Sequence, residues 1–167
     1  MRRANTVRTV HDMSLRTVLV AGALLLLLAV VFHPNDSTSQ GPYHADLARS
    51  PGVLNPDVTQ ANIASTICRH GWTKTIRPPT DYTNALKLGQ MREYGVGGSR
   101  SEYQEDHLIS LELGGHPTDA RNLWPEPYPR AAEVDSIENE LNAKVCAGDM
   151  SLDEAQRKES VLKHTEG

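Results

Sequence analysis

Residues 105–127 read EDHLISLELGGHPTDARNLWPEP, and the way this stretch folds decides how the rest of the chain is arranged. From Tyr103 onward, His107, Ile109, Leu111 and Leu113 alternate with Leu108, Ser110 and Glu112, the period of a strand with one apolar face. Gly114 and Gly115 admit the positive φ angles of a turn, and RNLWPEP at 121–127 is a second extended piece stopped by Pro125 and Pro127. A helix from about Ala131 to Cys146 follows directly, with Val134, Ile137, Leu141 and Val145 as its apolar stripe. The stretch therefore predicts a hairpin that feeds straight into a helix.

Working outward, Asn55-Pro56 opens a predicted helix through VTQANIASTIC, with Val58, Ile63 and Ile67 on one side and Gly71 as its stop. WTKTIRPP, at 72–79, is β-branched and short and predicts a strand closed by Pro78 and Pro79. DYTNALKLGQMREYG, at 81–95, has near-helical spacing, and GVGGSRS behind it is a turn. Ser151-Leu-Asp-Glu154 is a capping box that opens a last helix through Lys163. No internal repeat is visible. The folded part is expected to span 55–167 as one α+β domain, a small strand-strand-helix core with additional helices.

Before it, Arg2, Arg3, Arg8 and Arg16 precede the uncharged apolar run Val18 to Phe32. A basic segment followed by such a run is an export signal. The run falls short of the roughly 20 residues that cross a bilayer comfortably, and no convincing small-x-small cleavage site follows it. Residues 1–32 therefore read as a signal anchor or transmembrane segment with its arginines cytoplasmic; a cleaved signal, which would release a secreted protein, is the alternative. Residues 33–54 are rich in Pro, Ser, Gly and Asp and read as a flexible linker.

The net charge is −4, and with Arg2, Arg3, Arg8, Arg16 and Asp12 set aside the remainder carries 13 basic against 20 acidic residues, net −7. Such a body argues against sequence-independent coating of nucleic acid, which needs a basic surface. It leaves room for an enzyme that meets phosphate through a cation. The two cysteines, Cys68 and Cys146, lie beyond the apolar run, where an even pair in an exported domain reads as a disulfide. A metal pair is disfavoured by the lack of CxxC spacing or a third thiol; two unlinked buried thiols are the other alternative.

Cutting a phosphodiester requires a base that takes a proton from water and a cation that stabilises the charge gathering on phosphate. Asp106 and His107 supply a hard oxygen ligand and a base that titrates near neutrality. Adjacent residues on a regular strand point to opposite faces, so the pair shares a site only at a strand end or bulge. Asn122, on the second strand, is placed to fix the local turn or to hold the His107 ring. On the helix, Asp135, Glu138, Asn139 and Asn142 form a polar stripe, and Glu138 or Asn139 would complete an oxygen-rich metal site with Asp106. The bland alternatives are a hydrogen-bonded core histidine, a turn asparagine and a solvated helix face. Trp124 reads as a core plug in preference to a base-stacking platform, Glu112 points away from His107 in a regular strand, and His116 sits at the turn tip.

The pattern D-H-L-I-S-L-E-L-G-G followed by N-L resembles the HNH endonuclease, or ββα-metal, motif. It is also similar to a group of small exported bacterial proteins that share D-H-L-I-x-L-E-L-G-G and N-L-W-P-E with a cysteine on either side. The match covers 106–123, and a looser one spans about 51–156. The resemblance implies His107 as general base, Asp106 as metal ligand and Asn122 as the residue that orients the site. It departs in having no histidine between Asn122 and His164, so the helix ligand falls to Glu138 or Asn139. What it implies is a metal-dependent extracytoplasmic endonuclease using Mg²⁺, or else Mn²⁺ or Zn²⁺, on DNA or RNA. The competing expectation is a non-catalytic, membrane-anchored binding module on the same scaffold.

Overall fold

The computed structural model describes residues 44–165. The predicted anchor, 1–32, and residues 33–43 of the predicted linker lie outside the described residues. Among the described residues no helix is long and apolar enough to cross a membrane. These residues form an α+β unit built from one two-stranded antiparallel sheet and α-helices, in the order α1 (Trp72–Ile76), α2 (Thr80–Glu93), β1 (Tyr103–His107), β2 (Leu123–Pro127), α3 (Tyr128–Ala147) and α4 (Leu152–Thr165).

The hairpin is present, with Tyr103 opposite Pro127 and His107 opposite Leu123. β1 stops at His107 and does not run on to Leu113 as predicted. The reason lies in burial: Leu108, Ile109, Leu111 and Leu113 are all buried, so this segment has no solvent face to alternate with. Leu108 joins Ala45 and Trp124 in a small cluster, while Ile109 and Leu113 join the main core with Val58, Ile67, Trp72, Leu141, Val145 and Leu152. The chain turns through a 3-10 helix, Leu111–Leu113, into Gly114 at φ 77°. The two glycines do different things. Gly114 supplies the left-handed conformation, whereas a Cβ on Gly115 would overlap the Ile109 carbonyl and crowd the Asn122 amide.

Asn122 clamps the loop that results. Its Oδ1 accepts from Ile109 N–H at 3.0 Å, and its Nδ2 donates to the carbonyls of Ile109 and His116, both at 3.0 Å, with the residue 0% exposed. A buried loop must pair its backbone groups somewhere, and here one side chain serves three of them.

Upstream, two predicted elements differ. The helix expected from Pro56 is a shorter 3-10 helix, Gln60–Ser65. Asn55 Oδ1 takes Asp57 N–H and Asn62 Oδ1 takes Thr59 N–H, local bonds that compete with a regular helix. The strand expected at 72–79 is helix α1, entered at Gly71 with φ 78°. Trp72 and Ile76, one helical turn apart, both reach the main core, and the sheet of the described residues contains only β1 and β2. Residues 44–54, predicted as the end of a linker, belong to the folded unit: Ala45 N–H donates to the Lys163 carbonyl at 2.8 Å, Ser50 is buried, and Leu54 bridges to Gly115.

α2 packs on the hairpin through polar side chains. Lys87 Nζ reaches the Tyr103 carbonyl at 2.8 Å, and Gln90 Nε2 reaches those of Ala120 and Leu123. α3 starts three residues before the predicted Ala131, because Pro127 is extended and Pro129 suits a first helical turn. α4 begins where Ser151 Oγ accepts from Glu154 N–H at 3.2 Å, one half of the predicted capping box. Cys68 and Cys146 form a disulfide that joins the segment before α1 to the end of α3 across 78 residues.

Closing a loop of that length restricts the unfolded chain, so reduction should lower stability by about 4–5 kcal/mol on the chain-entropy relation. Denaturant unfolding with and without reductant measures it. Asn122→Ala strands buried backbone groups at both ends of the loop and should cost about 2–3 kcal/mol in the same assay.

Candidate active site

The end of β1 places Asp106 and His107 on one cleft despite their adjacency, since regular alternation lapses where the strand stops. The cleft is about 430 Å³ and takes its wall from β1, from the loop at Ser110 to Glu112, from Thr73 and Arg77, and from Asp135, Glu138 and Asn139 of α3.

His107 is 5% exposed, and its Nε2 lies 3.0 Å from the Pro117 carbonyl. A carbonyl only accepts, so Nε2 carries the proton and Nδ1 keeps its lone pair. Nδ1 has no hydrogen-bond partner among the described residues and is not among the buried unpartnered atoms, so it is open to the cleft. Burial pushes the ring below its ordinary value, against the pull of the Pro117 hydrogen bond and the Asp106 charge. The imidazole is thus biased to the neutral form that accepts a proton. Asn122 does not touch this ring; it acts on the loop that carries Pro117 through the His116 carbonyl.

Asp106 and Glu138, two of the predicted metal ligands, do converge. They converge on Lys163 of α4. Lys163 is 0% exposed, and its Nζ lies 2.7 Å from Asp106 Oδ2, 2.5 Å from Glu138 Oε1 and 2.5 Å from the His107 carbonyl, with Glu159 Oε1 at 3.6 Å. The other Asp106 oxygen accepts from Gln104 Nε2 at 3.0 Å. Burial pulls the ammonium down, but the charges of Asp106, Glu138, Glu159 and Glu126 outweigh it and hold Lys163 well above its ordinary value. Burial likewise acts to raise Asp106, and the Lys163 charge and hydrogen bond reverse it, leaving Asp106 ionised. Glu126, opposite Gln104 on β2, is fully buried, paired with Arg130 at 3.3 Å, and pushed by burial and the Asp106 charge to about 8.

The third predicted ligand, Asn139, is exposed at the cleft edge, and its amide donates back to the Asp135 carbonyl. Asn142, the end of the predicted stripe, holds the loop instead, through the Glu112 carbonyl at 2.7 Å. Glu112 lines the cleft beside His107, because the segment is a 3-10 turn and the alternation that would point it away does not apply. His116 Nδ1 accepts from the backbone N–H groups of Thr118 and Asp119, a turn-stabilising role. Trp124 is fully buried as a core plug.

A divalent ion shared by Asp106 Oδ2 and Glu138 Oε1 would need the position that the Lys163 ammonium holds, so these two oxygens, as arranged, do not fit the expected metal. Among the described residues no group of three His, Cys, Asp or Glu side chains is disposed to hold one. Two residues that sequence reasoning did not assign to the site are central here. Arg77, exposed, is the cation of the cleft wall. Lys163 had a visible signal: Leu152, Ala155, Glu159 and Lys163 share the buried face of α4, and charges in the phase of an apolar stripe mark a buried ion cluster. Comparison of the chain with protein-family models, curated proteins and solved structures finds no match.

Glu105, also in the wall, has both carboxyl oxygens buried without a hydrogen-bond partner, and burial pushes it to about 8, with the Lys87 charge opposing. A carboxyl raised in this way favours folding most below its ordinary value of 4.5 and loses that contribution as pH rises through about 8. Glu105→Met should therefore flatten the fall of stability between those pH values. At pH 8.5 it should stabilise the chain by about 1–3 kcal/mol, the cost of an unsatisfied buried group, with a smaller gain at pH 5. Thermal unfolding of both chains across that range checks the sign.

Proposed function

We propose that the chain is an endonuclease of the HNH, or ββα-metal, type that hydrolyses phosphodiester bonds of nucleic acid outside the cytoplasm. The observation that carries the reading is the His107 ring, fixed through Nε2 to the Pro117 carbonyl and open at Nδ1 to a cleft that also holds Arg77. A water hydrogen-bonded to Nδ1 gives up its proton to the ring as its oxygen bonds to phosphorus; the phosphorus–oxygen bond to the leaving nucleoside breaks, that oxygen taking a proton from solvent, while Arg77, with its planar fork of donors, holds the non-bridging oxygens. The acidic wall is less hostile to phosphate than its composition suggests. Burial raises Glu105 to about 8 and lifts Glu112, Asp135 and Glu138 above their ordinary values, which trims the negative charge. The Cys68–Cys146 disulfide and the basic segment followed by Val18 to Phe32 support an extracytoplasmic, membrane-anchored placement.

A second reading, a binding module on the same scaffold, is favoured by one observation: Asp106 and Glu138 are engaged by Lys163. The assay that separates them uses the full-length chain with supercoiled DNA and with RNA, in Mg²⁺, Mn²⁺, Zn²⁺ and EDTA. The enzyme predicts cleavage that falls about 10²–10⁴-fold in His107→Ala, and an increase in KM on Arg77→Ala of about tenfold or more, the value of a charge-assisted bond. Equal cleavage by His107→Ala removes the base assignment. No cleavage under any condition selects the binding module.

A further inference from the structure

We propose that Lys163 is the resident cation of this site, its ammonium standing where a divalent ion would bridge Asp106 and Glu138, so that the wild-type chain holds no metal ion between them. The inference concerns the site of the proposed endonuclease and rests on that reading only for the expectation that a cation belongs there. Its test reads metal binding and is independent of turnover.

The geometry is that of a filled coordination position. An ammonium has three N–H donors; Lys163 donates to Asp106 Oδ2 and to the His107 carbonyl, and lies against Glu138 Oε1 as an ion pair. Its distances of 2.5–2.7 Å to these oxygens approach the 2.0–2.6 Å of Mg²⁺ and Ca²⁺ to oxygen ligands. An ion touching both carboxyl oxygens would sit on top of Nζ, and two cations at that separation repel strongly in a buried setting. The other Asp106 oxygen, Oδ1, already accepts from Gln104.

Lys163 is also anchored in a way that a mobile surface lysine is not. Its own carbonyl accepts from Ala45 N–H at 2.8 Å, and the carbonyl of Leu162 accepts from Arg130 at 2.6 Å. Both bonds fix the backbone from which the Lys163 side chain extends. The bond to the His107 carbonyl gives the ammonium a positioning role, since it holds the backbone of the candidate base while staying out of reach of substrate.

The test is a Mn²⁺ titration of the full-length chain, followed by calorimetry and by thermal unfolding, beside Asp106→Asn. The expected result is that wild type binds no Mn²⁺ that Asp106→Asn abolishes, and that its midpoint is the same in Mn²⁺ and in EDTA. Lys163→Met, which keeps the apolar stem and removes the charge, should gain a Mn²⁺ site and a rise of several degrees in midpoint with Mn²⁺, by mass action on the folded state. That gain should vanish in Lys163→Met combined with Asp106→Asn. One Mn²⁺ bound by wild type and lost in Asp106→Asn overturns the proposal, as does a folded Lys163→Met that binds none. Should Lys163→Met fail to fold, the wild-type titration alone decides.

Discussion

The buried ammonium of Lys163 is the contact on which the unit depends, because it joins elements that the chain makes far apart. Asp106 and the His107 carbonyl come from β1, Glu138 from α3, and Lys163 and Glu159 from α4. Burying one positive charge among several carboxyls is tolerable only if each is hydrogen-bonded or neutralised. The ammonium satisfies the first demand for Asp106; burial raises Glu126 to about 8 and Glu159 to about 7, which moves both toward the second. The arrangement is more valuable for its geometry than for net stability, since removing one partner leaves the others uncompensated.

The cleft inherits its shape from that cluster and from the Asn122 clamp. One holds the strand end that carries His107 by its backbone carbonyl; the other holds the loop that carries Pro117, the acceptor of the ring proton. His107 is therefore fixed at its main chain by Lys163 directly and at its ring by Asn122 through the intervening loop. Arg77 arrives from a third direction, at the end of a short helix that Pro78 terminates. Anchoring at both main chain and ring would suit the base proposed for His107, which has to hold one nitrogen toward a water.

Several elements were legible in the sequence because their signals are local. The hairpin-to-helix order, α2, α3 and the Ser151 start of α4 follow from apolar period, proline and capping positions. The misreadings share a cause. The segment 108–113 alternates in sequence, yet residues from both phases, Leu108 and Ser110 as well as Ile109, Leu111 and Leu113, are buried, and it does not stay extended. WTKTIRPP has strand composition but pairs with no strand among the described residues, and as a helix it turns Trp72 and Ile76 into one core. Residues 44–54 have linker composition, yet the Ala45 N–H bonds to α4 and the Ser50 hydroxyl to the Leu123 carbonyl of β2. Propensity lost in each case to what stood next to the segment.

By itself the sequence determined which groups are available: the Asp106-His107 pair, the Gly114-Gly115 turn, Asn122, the disulfide partners and the α3 stripe. These are local matters of residue type and spacing. Tertiary structure alone decided which charge faces which. Asp106 and Lys163 stand 57 residues apart, and nothing local in either segment states that the ammonium reaches the space between the carboxyls. Electrostatic partners are chosen by distance and by burial in space, and spacing along the chain carries no record of that choice.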